Sequence, residues 1–269
     1  MLRYRVLTAI VAVPLLILYI SKGTPFMFAL LIGVVAIISL QEYFRIVFNP
    51  SGQPDPLMPP LGYLSCVGIL CGIYLKSPEI VTGVLIFHLI IGATRAVLSY
   101  QAGSPVLNIL SRQVCGLIYV PLFLSSLVLL RNGEKGALWI FFLLLTVAAG
   151  DTGAYFSGTY FGKHKLAPQV SPGKTVEGLI GALLCIQILG GAYRYYFLPE
   201  LSWVAGTILL LVLGVTGVVG DLFESALKRE GNIKDSGKIL PGHGGMLDRI
   251  DGLLFAGPLL YYFKLSFLG

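Results

Sequence analysis

Apolar runs long enough to cross a lipid bilayer recur along the whole chain of 269 residues. They lie at 6–20, 26–40, 61–75, 80–98, 114–130, 137–149, 178–198, 203–220 and 250–268. A bilayer core about 30 Å thick needs about 20 residues of helix, and several runs reach that length with their flanks. Only 12% of the residues are charged, against about 25% in a typical soluble domain. We therefore predict an all-α polytopic membrane protein, a bundle of about nine transmembrane helices.

Basic residues are distributed unevenly between alternate connections of this predicted bundle. With nine spans, the N-terminus and every second connection face one side, which receives most of the Lys and Arg residues. The positive-inside rule makes that side cytoplasmic, so we expect a cytoplasmic N-terminus and a site that faces the cytoplasm. This topology also explains the net charge of +6. Because no soluble module is available to carry a basic patch, we expect no nucleic-acid partner.

The acidic residues concentrate in the second half of the chain, although the positive-inside rule does not require them there. The sequence contains no internal repeat, so we predict a single integral membrane domain over residues 1–269. Within it, residues 1–135 are expected to form mainly scaffold spans. Residues 136–269 are expected to carry the catalytic spans and their cytoplasmic loops.

A first polar segment covers residues 148–178. Asp151 directly follows an apolar run, where an ionisable group costs about 2.5–3.5 kcal/mol unless it is solvated or paired. This position indicates a functional residue, and the alternative is an ion pair with a neighbouring Lys or Arg. Ser171-Pro172-Gly173-Lys174-Thr175 predicts a helix start with Ser171 as its cap, and Lys174 would favour an anion there. A P-loop is excluded, because Pro168 stands where that motif requires glycine.

A second polar segment covers residues 220–252. Asp221, Ser225 and Lys228 share one face of a predicted helix with Glu224. The alternative interpretation is a solvated helix end with a salt bridge between Glu224 and Lys228. Asp248 and Asp251 are three residues apart and share a face at the start of the last span, where the helix dipole alone would also favour them.

Together, the two segments contain the components of a phosphate-transfer site. Carboxylates hold Mg²⁺, which normally takes one or two protein carboxylates plus substrate phosphates. Lysines and Arg249 can neutralise phosphate oxygens, and glycines let backbone N–H groups approach them. Such a set suits in-line displacement at phosphorus. His243 is either a base or a positioning hydrogen-bond donor.

The second segment also resembles a known family signature. Ser225-x-x-Lys228-Arg229, Lys234-Asp235-x-Gly237 and Leu240-Pro241-Gly242-His243-Gly244-Gly245-x-x-Asp248-Arg249-x-Asp251 are similar to the signature of the phosphatidate cytidylyltransferase (CDP-diacylglycerol synthase) family. The stretch from Asp151 to Gly178 is similar to that family's second conserved block. One departure is Gly173, where the family has lysine.

The resemblance implies transfer of a cytidylyl group from CTP to phosphatidic acid in phospholipid biosynthesis, giving CDP-diacylglycerol and pyrophosphate with Mg²⁺. It places the metal on Asp221 and Asp248, with Asp251 and Asp151 near it as ligands or outer partners. Because four carboxylates exceed what one divalent ion needs, a monovalent cation such as K⁺ is a further expectation. A homodimer is also implied. The compact chain without long soluble tails favours a bacterial inner (plasma) membrane over that of an organelle.

The same resemblance assigns roles to further residues. The catalytic set is Asp221, Asp248, Asp251, Lys228, Arg249 and His243. The substrate-binding set is Asp151, Lys165, Ser171, Lys174, Thr175, Ser225, Arg229, Lys234, Gly244 and Gly245.

Three alternative functions are weighed against this one. A CDP-alcohol phosphotransferase pattern is partly matched from Asp248 to Leu254, but it fails at Phe255-Ala256, and no acidic residue follows Asp251. A CTP-dependent polyprenol kinase would instead transfer the γ-phosphoryl group of CTP. An ion-coupled transporter should show inverted repeats and acids near mid-span, whereas here the acids cluster at one predicted membrane face.

Overall fold

The computed structural model describes residues 14–48, 57–100, 106–237, 239 and 244–268. The described part is helical except for one short β-hairpin and the connections. The candidate residue His243 lies outside it, as do Leu240, Pro241 and Gly242 of the signature. The predicted role of His243 therefore stays a prediction.

The helices follow the predicted apolar runs and extend beyond several of them. Residues 14–22 are helical, and the further elements are α1 (Pro25–Phe48), α2 (Met58–Tyr74), α3 (Pro78–Leu98), α4 (Val106–Leu117), a π-helical turn (Ile118–Leu122), α5 (Phe123–Asn132), α6 (Gly136–Phe161), β1 (Lys165–Ala167), β2 (Ser171–Thr175), α7 (Val176–Phe197), α8 (Trp203–Glu230) and α9 (Leu247–Phe267). The π-helical turn contains Pro121, which has no N–H to donate to a regular helix.

Six helices among the described residues are long and apolar enough to cross a bilayer. They are Pro25–Phe48, Pro78–Leu98, Val106–Asn132, Gly136–Phe161, Val176–Phe197 and Trp203–Glu230. Their outer faces carry large exposed apolar side chains, such as Phe87 and Ile90 on α3 and Ile188 on α7. Apolar surface of this extent is typical of contact with lipid rather than water. The chain is therefore an all-α integral membrane protein.

The chain divides into two compact units. The first comprises Met1–Leu129 and Glu230–Leu247, and the second comprises Leu130–Arg229 and Asp248–Gly269. The segment between α8 and α9 thus belongs with the N-terminal helices. The second unit contains α6, the hairpin, α7 and most of α8 and α9.

The first unit packs around two aromatic residues of α1. Tyr43 is 1% exposed, and its hydroxyl donates to the Arg112 carbonyl oxygen at 3.1 Å. Phe44 lies against Gly62 of α2, where an added Cβ would come within 2.5 Å of the ring. Gly116 of α4 faces the Tyr43 ring in the same way, at 2.6 Å. Glycines therefore let two helices approach the bulky face of α1.

The second unit is built on a close contact between α6 and α7. Gly153 and Gly181 face each other, and a Cβ on Gly153 would lie 2.5 Å from the Gly181 carbonyl oxygen. A Cβ on Gly181 would overlap the Ser157 side chain. Small residues on both helices therefore bring their backbones together, as is common between membrane helices.

The hairpin replaces a helix start that the sequence predicts at Ser171. Ser171–Thr175 forms a strand, with Lys165 opposite Thr175 and Ala167 opposite Ser171, so the prediction of Ser171 as a helix cap was wrong. The helix begins four residues later, where the Thr175 hydroxyl accepts a hydrogen bond from the Gly178 N–H at 3.1 Å. Pairing with Lys165–Ala167 keeps Pro172 and Gly173 extended, a non-local effect that the local sequence does not reveal.

Replacement of Gly181 by alanine tests the α6–α7 contact. We expect Gly181→Ala to destabilise the protein by about 1–3 kcal/mol, because the methyl group would overlap Ser157. Gly191→Ala in the same helix is the matched control, since nothing lies within 4 Å of a Cβ there. The control should be neutral or more stable by up to about 1 kcal/mol. Thermal unfolding of both variants in detergent measures the difference, and equal midpoints would contradict the proposed packing.

Candidate functional site

The second unit contains a cavity of about 200 Å³ that is lined by both charged and apolar side chains. The charged groups come from α6, β2, α8 and α9: Asp151, Lys174, Asp221 and Asp251. The apolar wall includes Val147, Leu179, Ala182, Ile186, Leu213 and Val218. Three carboxylates and one ammonium give this lining a net negative charge, so an anionic group would bind there only together with a cation.

Asp151, Asp221 and Asp251 are close enough to interact electrostatically. Gly220 permits this approach, because a Cβ there would lie 2.5 Å from the Asp251 carbonyl oxygen. The close contact of α8 with α9 therefore brings Asp221 near Asp251. The Gly252 N–H donates to Asp251 Oδ1 at 2.8 Å, which fixes one of the carboxylate oxygens.

Lys174 places a positive charge beside these three carboxylates. Its ammonium lies 2.5 Å from Asp221 Oδ2, and the Lys174 side chain is 22% exposed. Lys174 also interacts electrostatically with Asp151 and Asp251, and Arg249 interacts with Asp151. Attraction to these two basic residues offsets part of the repulsion among the carboxylates.

Lys228 forms a second charged group with Glu224 and Asp248. Its ammonium is ion-paired with the Glu224 carboxylate one helical turn earlier, and it donates to Asp248 Oδ1 at 2.7 Å. The Glu224 side chain is fully buried, whereas those of Asp248 and Lys228 are partly buried, at 10% and 16% exposed. The Glu224–Lys228 salt bridge of the alternative interpretation is present, but Glu224 is buried, so the solvated helix end of that interpretation was wrong. The structure also shows that Lys228 contacts Asp248, which sequence spacing alone does not reveal.

The β-hairpin carries several of the predicted substrate-binding residues. Lys165 and Ser171 lie in its two strands, and Thr175 caps α7. Arg229 donates from Nε to the Val170 carbonyl oxygen at 3.2 Å, which ties the end of α8 to the hairpin turn. Glu177 holds the other end, because it accepts hydrogen bonds from the Lys163 and His164 backbone N–H groups at 3.1 and 3.2 Å.

The remaining predicted residues lie in or beside the segment between α8 and α9. The Ser225 hydroxyl is 3.5 Å from Asp221 Oδ1, a long contact. Lys234 and Arg249 are exposed. Gly244 has φ 84°, a left-handed conformation that favours glycine, and Gly245 is buried.

The structure thus brings Asp151, Asp221, Asp251 and Lys174 to one cavity, and it pairs Asp248 with Lys228 outside the cavity lining. Two acidic residues that the sequence analysis did not assign to the site contact its surroundings. Glu224 anchors Lys228, and Glu42 contacts the segment that precedes Asp248. The available signal for Glu42 was its position directly after the apolar run 26–40, where an ionisable residue is costly.

The carboxylates in and beside the cavity are the candidate ligands for Mg²⁺. Within the described residues, no three His, Cys, Asp or Glu side chains form a group arranged to hold a metal. Mg²⁺ needs only one or two protein carboxylates when phosphates supply the other ligands. Asp221 and Asp248 each hold a lysine ammonium at 2.5 and 2.7 Å, so both carboxylates attract a cation. Each of these carboxylates can therefore serve as one of the few protein ligands of an ion that phosphate oxygens also coordinate.

The chain is similar in sequence to a known protein family and to several named bacterial proteins. The profile of the cytidylyltransferase family matches residues 3–267. A phosphatidate cytidylyltransferase of Haemophilus influenzae is 35% identical over 289 aligned positions, which cover 98% of each chain. One from Thermotoga maritima is 33% identical over 97% of this chain and 95% of its own length. One from Bacillus subtilis is 41% identical over 146 residues, 54% of each chain.

The family profile covers nearly the whole chain, and two of these relatives align over almost their full lengths. The match includes α6–α9 and the hairpin, which carry the charged cavity. The chain belongs to the cytidylyltransferase family and is a nucleotidyltransferase of the membrane.

Proposed function

We propose that the protein transfers the cytidylyl group of CTP to phosphatidic acid, giving CDP-diacylglycerol and pyrophosphate for phospholipid synthesis. The observation that carries the proposal is the cavity lined by carboxylates, Lys174 and apolar side chains. Its charged residues suit a phosphate group that binds together with a cation, and its apolar side chains suit the hydrocarbon of a lipid. Relatives aligned over nearly full length bear the name phosphatidate cytidylyltransferase.

The reaction is a displacement at the α-phosphorus of CTP. An oxygen of the lipid phosphate forms the new P–O bond, and the bond to the β-phosphate oxygen breaks, so that pyrophosphate leaves with the electron pair. The lipid phosphate is already an anion and needs little activation. The main obstacle is repulsion between two polyanions, which positive charge in the site relieves.

The basic residues around the cavity would provide this charge. Lys174 and Lys228 hold carboxylates in the structure, and each would exchange a carboxylate oxygen for a phosphate oxygen when substrate binds. Arg249 and Arg229 would contact the triphosphate or the lipid phosphate, and Lys165 would contribute from the hairpin. Gly244 and Gly245 would let backbone N–H groups approach the phosphates.

Mg²⁺ would be held by Asp221 and Asp248, with Asp151 and Asp251 as additional ligands or outer partners. When bound, the ion would neutralise phosphate charge and stabilise the leaving pyrophosphate. A monovalent cation such as K⁺ would account for the remaining carboxylates. The lysines freed from Asp221 and Asp248 would then be available for phosphate.

The proposal includes the finer topology predicted from the sequence. Met58–Tyr74 and Leu247–Phe267 would join the six longer apolar helices. The remaining predicted span, 6–20, lies partly outside the described residues, which begin at 14. The N-terminus and the site would face the cytoplasm of a bacterial inner membrane. The protein would act as a homodimer.

A doubly labelled substrate tests the reaction directly. Purified protein is given phosphatidic acid and CTP labelled separately in the cytosine base and the γ-phosphate. We expect the base label in the lipid and the γ-label in pyrophosphate. Appearance of the γ-label in the lipid would replace the proposal with a CTP-dependent lipid kinase, and absence of both labels from the lipid would refute it.

Asp248→Asn tests the proposed metal carboxylate. Turnover should fall by about 10²–10³-fold or more, because the amide cannot supply the negative charge that a cation requires. Glu200→Gln is the matched control, since it also removes a carboxylate paired with a lysine, Lys135, at 3.0 Å in the same unit. Both variants are checked for thermal unfolding. Near-normal turnover in folded Asp248→Asn would remove Asp248 from the site.

A further inference from the structure

Glu42 is a buried acid of α1 that holds the start of α9 within the first unit. It is 7% exposed. Its Oε1 accepts a hydrogen bond from the Met246 N–H at 3.1 Å, and its Oε2 accepts one from the Leu247 N–H at 2.8 Å. The Ser236 hydroxyl also donates to Oε2, at 3.1 Å. One carboxylate therefore contacts both ends of the segment from Ser236 to Leu247.

Two glycines of this segment leave room for the Glu42 carboxylate. A Cβ on Gly237 would overlap Glu42 Oε1, and one on Gly245 would lie 2.6 Å from Glu42 Oε2. Arg45, one turn along α1, donates to the Ser236 carbonyl oxygen. Gly237 and Gly245 both belong to the signature described above, and their contact with Glu42 supplies a physical reason for glycine at each position.

The position of Glu42 in the chain indicates that the hydrogen bonds of its carboxylate are not incidental. It lies in a helix long and apolar enough to cross a bilayer, where an acid is costly without partners. The first N–H groups of a helix have no partner within the helix, and a carboxylate there is favoured by the helix dipole. Glu42 therefore caps α9 from another helix, through charge-assisted hydrogen bonds.

This cap acts on the backbone directly before the residue proposed to bind the metal. Leu247 is the first residue of α9, and Asp248 follows it. Fixing the Met246 and Leu247 N–H groups fixes where the first turn begins, and thus the direction of the Asp248 side chain. We propose that Glu42 is a positioning residue for cytidylyl transfer, which sets Asp248 through the start of α9 without contacting substrate. The proposal rests on the function proposed above.

Glu42→Gln in the full-length protein tests the proposal with two readouts. The amide keeps the size of the side chain but offers only one acceptor oxygen for two backbone N–H groups. Hydrogen–deuterium exchange of peptides covering residues 244–250, in protein without substrate, should become faster. The kcat for CDP-diacylglycerol formation should fall about 10- to 100-fold, because a small displacement of a catalytic group has effects of this size. The KM for CTP should change by less than about threefold.

Ser39→Ala is the matched control, because Ser39 is a fully buried polar residue of the same helix, one turn before Glu42. It should leave the exchange and kcat unchanged. Gly237→Ala is a second test, which crowds the Glu42 carboxylate without removing its charge and should reproduce both effects if Glu42→Gln fails to fold. Unchanged exchange, a kcat within twofold of the parent, or an equal loss in Ser39→Ala would overturn the proposal. An inactive parent would refute the proposed function, while the exchange measurement would still decide whether Glu42 holds this segment.

Discussion

The charged cavity depends on how the mutual repulsion of the Asp151, Asp221 and Asp251 carboxylates is balanced by positive charge. These groups share one cavity and are close enough to repel one another when they are ionised. Lys174 neutralises part of this charge, and Lys228 does the same for Asp248 and Glu224 beside it. Each of these two clusters of carboxylates therefore has a basic partner. Under the proposed function, the same lysines would bind phosphate once another cation occupies the carboxylates.

Close contacts between the helices, together with the hairpin, position these charged residues. Gly220 lets α8 approach α9 closely, and Gly153 with Gly181 does so for α6 and α7. The hairpin presents Lys174 to Asp221, and Thr175 then starts α7. In the first unit, Glu42 fixes the backbone that leads into Asp248. Small residues therefore determine where the helices meet, and a few charged residues determine how the loops attach to them.

The sequence predicted the helices well, because apolar runs in a membrane protein are long and have few competing structures. It also predicted the ion pair of Glu224 with Lys228, which depends only on helical spacing. The start of α7 was predicted wrongly, because pairing with Lys165–Ala167 keeps Ser171–Thr175 extended. The contacts of Lys174 with Asp221 and of Glu42 with Leu247 join residues far apart in the chain. No local pattern encodes such contacts, and the only local signal for Glu42 is that an acid stands directly after an apolar run.

The central claim is that these carboxylates bind a divalent cation together with the triphosphate of CTP. The most direct test is an experimental structure of the protein with a non-hydrolysable CTP analogue and Mn²⁺ in place of Mg²⁺, in which anomalous scattering locates the metal. A peak that joins Asp221 and Asp248 to the phosphates, with Lys174 and Lys228 turned towards phosphate oxygens, is the predicted result. Nucleotide bound elsewhere, or bound here with no metal at these carboxylates, would contradict the claim.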